Sequence, residues 1–384
     1  MTEREELIQR AAELVPVLRQ RAALAEELRR IPVETIDDLR AAELLRATQP
    51  VRFGGLGHDA DLVFNLAAEL GRGCGSTSWC YAVWANHNCI MGMFPEPAQE
   101  EYWAESNDVL MSTGFNPAGA QLTPVDGGYD ISGQWDFASG CDDAGWVVVG
   151  ATGPEGPLLL LVPKSDYTIG DTWFVSGLRG TGSKDIIIES AFVPIHRSLS
   201  MRDMGSAQTS GRRVHGTVNY RIPFWSFFPF TLASTTLGMA QGALEAFEMS
   251  IGDGVFPAGG GRKAEAPYIQ MQLSEAAAEV WAASRIMQYD SQEIMDRAKQ
   301  EEMPSLDDRV RYRRDQTYMT RLCVRAVNRL FEVSGGHALF DSSALQRYHR
   351  DIHAASHHVA LHWGPVAEQY GRVRLGLEPT SHWV

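Results

Sequence analysis

Histidine and serine side chains at four places along the chain have the chemistry to move or hold a proton. His87 lies in the apolar stretch around WANHN, and His358 lies in RDIHAASHHVALHW near the end of the chain. Ser112 and Ser139 occur in MSTG and WDFAS. An imidazole titrates near neutral pH and serves as a general acid or base, while a hydroxyl both donates and accepts hydrogen bonds. These residue types therefore indicate acid–base chemistry.

The C-terminal histidines compete for the same role, because His353, His357 and His358 lie within six positions of one another. On a helix predicted over residues 344–370, His358 and His362 lie four residues apart on one face. Such a pair can bind a metal ion, but no third ligand is suggested, and neither zinc-ligand spacing nor HExxH occurs. We therefore expect no metal site.

Composition narrows the classes of protein to which this chain can belong. It has 384 residues and a formal net charge of -14, which disfavours nucleic acid and anionic membranes as partners. No apolar run is long enough for a membrane span, and the charged start MTEREELIQR does not resemble a secretory signal. The five cysteines are odd in number and form no CxxC pair, which predicts free thiols in the cytoplasm.

The pattern of apolar residues predicts three kinds of segment in sequence order. Helical periodicity prevails to about residue 105, short strands with Gly- and Pro-rich turns follow, and helices return from Pro229. We predict an N-terminal helical domain over 1–107, a β-barrel or sandwich over 108–215, and a C-terminal four-helix bundle over 216–384.

Three stretches in this order resemble the acyl-CoA dehydrogenase superfamily: ISGQWDFASG (131–140), VSGLRGTGSKDIIIESAFVP (175–194) and SGGHALFDSSALQRYHRD (334–351). PVRFGGLG near residue 50 is a fourth match. The resemblance implies the acyl-CoA dehydrogenase fold and a flavin cofactor. Strand alternation in WDFAS predicts Trp135, Phe137 and Ser139 on one face, where two aromatic rings and a hydroxyl suit a flavin ring.

The acyl-CoA dehydrogenases use a carboxylate base, usually a glutamate, in the helix after the RD element. Here the next carboxylate after Asp351 is Glu368, seventeen residues on. With His87, Ser112 and His358, the chain instead resembles the oxygenase components of two-component flavin monooxygenases. That branch includes the reduced-FMN 4-hydroxyphenylacetate 3-hydroxylases, the secosteroid 4-hydroxylases and the dibenzothiophene monooxygenases.

This resemblance implies that reduced FMN or FAD reacts with O2 and that a C4a-hydroperoxyflavin hydroxylates an aromatic, phenolic or polycyclic substrate. His358 is then expected to be the substrate base and His87 to support the hydroperoxide or the substrate. Ser112 and Ser139 are expected to bind the reacting edge of the flavin. Oxygenation at nitrogen or sulfur is the alternative, and acyl-CoA dehydrogenation is a weaker one.

The resemblance also implies a set of binding residues and partners. No GxGxxG follows a strand, so a separate NAD(P)H flavin reductase is expected to supply the reduced flavin. A homotetramer is expected, with a dimer as the alternative. Further expected cofactor-binding residues are Arg179, Thr181, Ser183, Arg262, Lys263, Gly335 and Gly336, and the expected substrate residues are His357, Phe224, Trp225 and Phe228, the last three either lining a pocket or packing as core.

Overall fold

The computed structural model describes residues 1–252, 254–256 and 260–381. Its N-terminal part is helical, as predicted. Helix α4 is the element around which the site is built, and all of its residues are buried. The helices of this part are α1 (Glu3–Leu28), α2 (Val33–Ala41), α3 (Ala60–Gly71), α4 (Gly75–Met91) and α5 (Glu96–Tyr102).

The middle of the chain forms two four-stranded sheets, with strand orders β1-β4-β5-β8 and β2-β3-β7-β6. Their facing apolar side chains form one core, so of the two predicted arrangements the sandwich is right and the closed barrel is wrong. The strands are β1 (Met111–Gly114), β2 (Ala120–Val125), β3 (Gly128–Ala138), β4 (Trp146–Gly153), β5 (Gly156–Pro163), β6 (Thr168–Gly170), β7 (Lys184–Pro194) and β8 (Ser198–Ser200).

The predicted alternation in WDFAS is wrong, because β3 carries an irregularity between Trp135 and Ala138. An extra residue in a strand shifts the following side chains to the other face. Trp135 is only 1% exposed, and its indole N–H donates to the Gly150 carbonyl inside the sandwich at 2.8 Å. Phe137 has a left-handed backbone with φ of 61° and is 64% exposed. The two aromatic rings therefore do not share a face.

The C-terminal part is a helical bundle, as predicted. Helix α8 begins at Phe224, so FWSFFPF lies within it rather than ahead of it. Among the described residues, no helix is long and apolar enough to cross a membrane. The helices of this part are α6 (Met201–Gly205), α7 (Ser210–Val214), α8 (Phe224–Gly252), α9 (Pro267–Lys299), α10 (Leu306–Glu332), α11 (Ala344–Ser356) and α12 (Trp363–Arg374).

The prediction of one helix over residues 344–370 is wrong. Helix α11 ends at Ser356, and a short turn leads to α12, which begins at Trp363. Pro365 explains the break, since proline lacks an N–H and its ring clashes with a helical carbonyl four residues earlier. It is tolerated in the first turn of a new helix. His358 and His362 therefore do not lie on one helical face.

Candidate active site

Helix α4 positions two of the polar aromatic side chains of the site. Trp79 and His87 are eight residues apart on it, which corresponds to about 12 Å along the helix axis. Both side chains are buried. The site therefore has two ends, one around Trp79 and one around His87.

The His87 ring is fixed in one tautomer by its two partners. Its Nδ1 lies 2.7 Å from the Met111 carbonyl oxygen. A carbonyl can only accept, so Nδ1 carries the proton and Nε2 carries the lone pair. That lone pair accepts from the Thr113 hydroxyl at 3.2 Å. Burial lowers the pKa of His87 to about 4, although the Met111 hydrogen bond opposes this, so the ring is neutral at physiological pH.

Aromatic rings connect the His87 end to helix α8. Phe115 packs edge-on against His87 with ring centroids 6.5 Å apart. Phe115 also contacts Phe228 at 5.9 Å and Phe224 at 6.4 Å, and the last two rings stack at 4.7 Å. The structure therefore connects two of the predicted substrate residues, Phe224 and Phe228, to His87 through Phe115. Trp225 packs on the same cluster through Phe224.

A chain of hydrogen bonds runs through the hydroxyls at the other end of the site. The Thr181 hydroxyl donates to the Leu178 carbonyl at 2.9 Å, so it must accept from Ser183, 2.6 Å away. Ser183 has only one hydroxyl proton, so it accepts from Ser139 at 2.8 Å. The Trp79 indole N–H then donates to Ser139 at 3.1 Å. The Ser139 hydroxyl is thus committed as a donor and can offer a further partner only a lone pair.

Strand β1 links the two ends, because successive side chains of a strand point in opposite directions. Thr113 reaches His87, whereas the Ser112 hydroxyl donates to the Ser139 carbonyl at 2.8 Å. Ser112 is completely buried. Its observed contact orders the backbone at Ser139, which differs from the direct cofactor contact expected from the sequence.

His358 belongs to the Trp79 end and is fixed in the opposite tautomer to His87. Its ring packs edge-on against Trp79 with centroids 5.6 Å apart. The Ala360 N–H donates to its Nδ1 at 3.1 Å. Nδ1 is therefore unprotonated, and in the neutral ring Nε2 carries the proton. Burial, reinforced by the charge of Arg313, lowers the pKa of His358 to about 4.

The structure separates the three competing histidines. His353 Nε2 lies 2.8 Å from the Asn328 side-chain oxygen, and His357 is exposed with its Nδ1 on the His353 carbonyl at 2.7 Å. Neither ring pairs with Trp79 as His358 does. His357, expected near the substrate, is thus placed on the surface of the turn.

Arg313 is a residue of the site that sequence reasoning missed. It lies on α10, is 2% exposed, and donates to the Ala360 carbonyl at 3.1 Å and to Gln316 Oε1 at 2.7 Å. A signal existed in the sequence, since Arg313 falls in phase with the apolar and small positions Val310 and Thr317 of an amphipathic helix. Trp79, Thr113 and Phe115 were missed as well, because nothing local distinguishes them from core.

Other predicted cofactor residues lie at the surface. Arg179 is exposed beside the buried hydroxyl chain. Arg262 is exposed, donates to the Gly252 carbonyl at 3.2 Å and lies 3.8 Å from Glu265, while Lys263 is half-buried. Gly335 and Gly336 are exposed, and Gly335 has φ of 76°, a conformation that favours glycine. Their contribution to a neighbouring subunit's cofactor stays a prediction.

The residues around Ser139 fit a flavin ring. A flat heteroaromatic ring needs an aromatic or apolar wall and a few polar groups for its edge. Phe137 presents an exposed ring from a left-handed backbone, and strained backbone of this kind concentrates at functional sites. Ser139 lies two residues after Phe137, and the hydroxyl chain orients one of its lone pairs. Phe137 and Ser139 are therefore the residues that would hold the ring face and the ring edge.

This architecture, a β-sandwich between an N-terminal helical part and a helical bundle, is the acyl-CoA dehydrogenase fold. The family described as "Acyl-CoA dehydrogenase, C-terminal domain" matches residues 230–363. The crystal structure of the HsaA monooxygenase from M. tuberculosis superposes with a TM-score of 0.94 at 32% identity, covering 100% of both chains.

Two relatives in sequence define the branch of this fold. The oxygenase subunit HsaA of a flavin-dependent monooxygenase from Rhodococcus jostii (strain RHA1) is 35% identical over 98% of this chain and 100% of its own length. The oxygenase component of the FADH(2)-dependent resorcinol hydroxylase from Rhizobium sp. (strain MTP-10005) is 36% identical over 98% and 96%. The chain belongs to the oxygenase components of the two-component flavin-dependent monooxygenases, as the sequence motifs predicted.

Proposed function

We propose that this monooxygenase hydroxylates a phenolic ring that binds beside His87, with Phe115 and the aromatic side chains of α8 as the apolar wall of the site. The observation that carries this proposal is the tautomer of His87, which presents a basic lone pair beside Phe115 and Phe228. Relatives at 35% and 36% identity are named as a flavin-dependent monooxygenase and a resorcinol hydroxylase. A phenol fits such a site because it has both an apolar face and an acidic proton.

In this proposal His87 takes the proton of the phenol through the Thr113 hydroxyl. Nε2 accepts from the Thr113 hydroxyl, so the phenol gives its proton to Thr113 Oγ1 while the Thr113 proton passes to Nε2. Removal of the phenol proton makes the ring more electron-rich. The Met111 carbonyl stabilises the imidazolium that results, because Nδ1 keeps its hydrogen bond. This assignment exchanges the roles expected from the sequence, in which His358 was the base.

His358 is then the donor of the site. Its Nδ1 is occupied by the Ala360 N–H, so its free group is Nε2–H. When bound, the reduced flavin would supply the two electrons that activate O2, and O2 would supply the oxygen atom that is transferred. A neutral N–H donor stabilises negative charge that develops on oxygen without releasing a proton. A base at this position would need the lone pair that Ala360 already uses.

The hydrogen-bonding state of the Ser139 hydroxyl suits the reduced form of the flavin. Because the Ser139 hydroxyl donates to Ser183, it offers a lone pair, and N5 of a reduced flavin carries the N–H that such a partner accepts. Oxidised flavin has no hydrogen on N5. This supports delivery of reduced flavin by a separate reductase. Both FMN and FAD remain in the proposal, and the name of the resorcinol relative favours FAD.

Acyl-CoA dehydrogenation is disfavoured by the residues that replace the expected glutamate. The turn after α11 carries His358, and Glu368 lies on α12 with an exposed side chain. Oxygenation of nitrogen or sulfur stays a second candidate, because an apolar pocket with one donor would also orient such an atom. The nature of the product separates these candidates.

We also propose that the protein acts as a homotetramer in the cytoplasm. All five cysteines are buried free thiols, which suits a reducing compartment. On α9, Trp281 and Tyr289 are 63% and 68% exposed, which supports a contact between subunits on this face. The division into three domains is part of the same proposal.

The proposed function is tested with ¹⁸O2, a flavin reductase, NADH and a panel of phenols, thiophenes and aromatic amines, with FMN and FAD supplied separately. We expect one ¹⁸O atom in the ring of a phenol. A labelled sulfoxide or hydroxylamine would instead support oxygenation of sulfur or nitrogen. Consumption of O2 that yields only hydrogen peroxide with every phenol would contradict the proposal.

A further inference from the structure

Among the residues that the structure describes, Arg313 is a buried cation without an anionic partner. Its guanidinium donates to two neutral oxygens, Gln316 Oε1 and the Ala360 carbonyl, and its Nε has no hydrogen-bond partner in the described part of the chain. Within the described ranges no carboxylate forms an ion pair with it. Burial of a charge is costly unless the charge is paired, so the retention of an arginine here requires a reason.

The neighbouring arginines of α10 show that pairing is available in this helix. Arg311 lies 2.7 Å from Asp290 and 2.7 Å from Glu293, and Arg314 lies 2.7 Å from Asp315. Arg313 points instead into the interior, toward the turn between α11 and α12. Desolvation lowers the pKa of Arg313 to about 10, so the guanidinium stays charged at neutral pH.

Ala360 connects Arg313 to His358. The Ala360 carbonyl accepts from the guanidinium at 3.1 Å, and the Ala360 N–H donates to His358 Nδ1 at 3.1 Å. One residue of the turn is therefore held from both sides. This arrangement fixes the position of the His358 ring and reserves its Nδ1 as an acceptor.

We propose that Arg313 is a positioning residue that, through Ala360, holds His358 with Nδ1 as the acceptor and Nε2–H as the donor of the site, and that it disfavours protonation of Nδ1. Protonation of Nδ1 would break the hydrogen bond from Ala360 and place a second cation beside the guanidinium. Only the role given to the Nε2–H group rests on the proposed function. The state of the ring itself rests on the contacts of Arg313 and Ala360.

Among the described residues, Arg313 is the charged group that lowers the pKa of His358. Arg313 approaches from α10, and the neutral Trp79 packs on the ring from α4. On its own segment the nearest titratable groups, His357 and His362, are exposed. Burial makes the larger contribution to the lowered pKa of His358, and the charge of Arg313 adds to it.

The test is a histidine titration of the full-length protein without flavin or substrate. Protein labelled at the histidine Cε1 is titrated by NMR, and the His358 signal is identified by its loss in His358→Asn. In Arg313→Met we expect the pKa of His358 to rise by about one unit or more. In Arg313→Lys, which keeps the charge, we expect it to stay low. Arg321→Met removes an exposed arginine of the same helix and should change nothing.

An unchanged His358 pKa in Arg313→Met overturns the proposal. If Arg313→Met does not fold, the chemical shifts of His358 in Arg313→Lys provide the test. Lysine lacks the planar guanidinium that holds Ala360, so these shifts should differ from those in Arg321→Met. His358 shifts identical to those of the wild type would overturn the proposal. Because no turnover is measured, failure of the proposed phenol hydroxylation would leave these results unaffected. The two claims can therefore fail separately.

Discussion

His87 and His358 are held in opposite tautomers by backbone groups. The Met111 carbonyl makes Nδ1 of His87 a donor, and the Ala360 N–H makes Nδ1 of His358 an acceptor. Nε2 of His87 is therefore an acceptor, and Nε2 of His358 is a donor. Two residues of the same type thus have different chemistry because of local backbone contacts, and the first two predictions follow from this difference.

Replacement of His87 by alanine should lower the rate of phenol hydroxylation by about 10²- to 10⁴-fold, the usual contribution of a general base. Oxidation of reduced flavin by O2 should continue, so hydrogen peroxide should replace the hydroxylated product. Single-turnover product analysis measures this. His357→Ala, which removes an exposed histidine, is the control. Unchanged hydroxylation in His87→Ala would exclude the base.

Replacement of His358 by alanine should lower the yield of product per flavin oxidised, because the donor at the Trp79 end is lost. His358→Gln keeps an N–H donor and should recover part of the yield. The yield is measured as hydroxylated product divided by flavin consumed. Equal yields in the wild type and both variants would remove the donor role from His358.

Ser183→Ala should weaken the selectivity for reduced flavin. Without Ser183 the hydroxyl of Ser139 is free to donate, so oxidised flavin gains a hydrogen bond of about 1 kcal/mol, or roughly fivefold in affinity. Titration with oxidised FAD and FMN by fluorescence measures this. Thr181→Ser keeps the hydroxyl chain and should bind as the wild type does. Weaker binding of oxidised flavin in Ser183→Ala would refute the directional chain.

Phe137→Gly should weaken cofactor binding without lowering the stability of the fold. Glycine adopts φ of 61° without strain, and such strain costs about 1–3 kcal/mol for other residues. Because the side chain is 64% exposed, little packing is lost, so the free energy of unfolding should rise or stay equal. The affinity for reduced flavin should fall. Phe174→Ala, another exposed aromatic, is the control, and unchanged flavin affinity in Phe137→Gly would remove Phe137 from the cofactor site.

Asp351→Asn should change how stability depends on pH. Asp351 is 1% exposed and accepts from the Leu178 N–H at 2.6 Å, and burial raises its pKa to about 7. In the unfolded chain an aspartate has a pKa of about 3.9. Between these values the folded state binds more protons, so this carboxyl favours folding at low pH and its contribution is lost as pH rises toward 7.

Asparagine does not titrate, so Asp351→Asn does not lose this contribution to stability as the pH rises. Its free energy of unfolding relative to the wild type should therefore increase from about pH 4 to 7, by about 1.4 kcal/mol for each unit of pKa shift. The buried histidines have the opposite dependence, but both proteins contain them and they cancel in the comparison. Urea unfolding at several pH values measures the difference. A difference that does not vary with pH would show that folding does not raise the pKa of Asp351.

The layout of the fold was predictable because apolar periodicity is a local property of the sequence. The order of helical, strand and helical segments was predicted, and the return of helices was expected from Pro229, five residues after the observed start of α8 at Phe224. The irregularity at Phe137 was not predictable, because it depends on pairing between β3 and β7. The end of α11 was missed although Pro365 signalled it.

The candidate site was predicted in part. The motif ISGQWDFASG contains Ser139, the segment that follows the third motif contains His358, and WANHN contains His87. The tautomers of His87 and His358 could not be predicted from the sequence. They depend on contacts with the Met111 carbonyl and the Ala360 N–H, which form only in the folded protein. Arg313 was missed because a charged residue in an arginine-rich helix is normally exposed.

The central claim is that His87 is the base for a phenol, and the dependence of hydroxylation on pH in His87→Ala tests it most directly. The pKa of a phenol is about 10, and ring substituents that withdraw electrons lower it. We predict that the deficit of His87→Ala relative to the wild type shrinks as pH approaches the pKa of the phenol and is smallest for the most acidic phenol. A deficit that is the same at every pH and for every phenol would contradict the account.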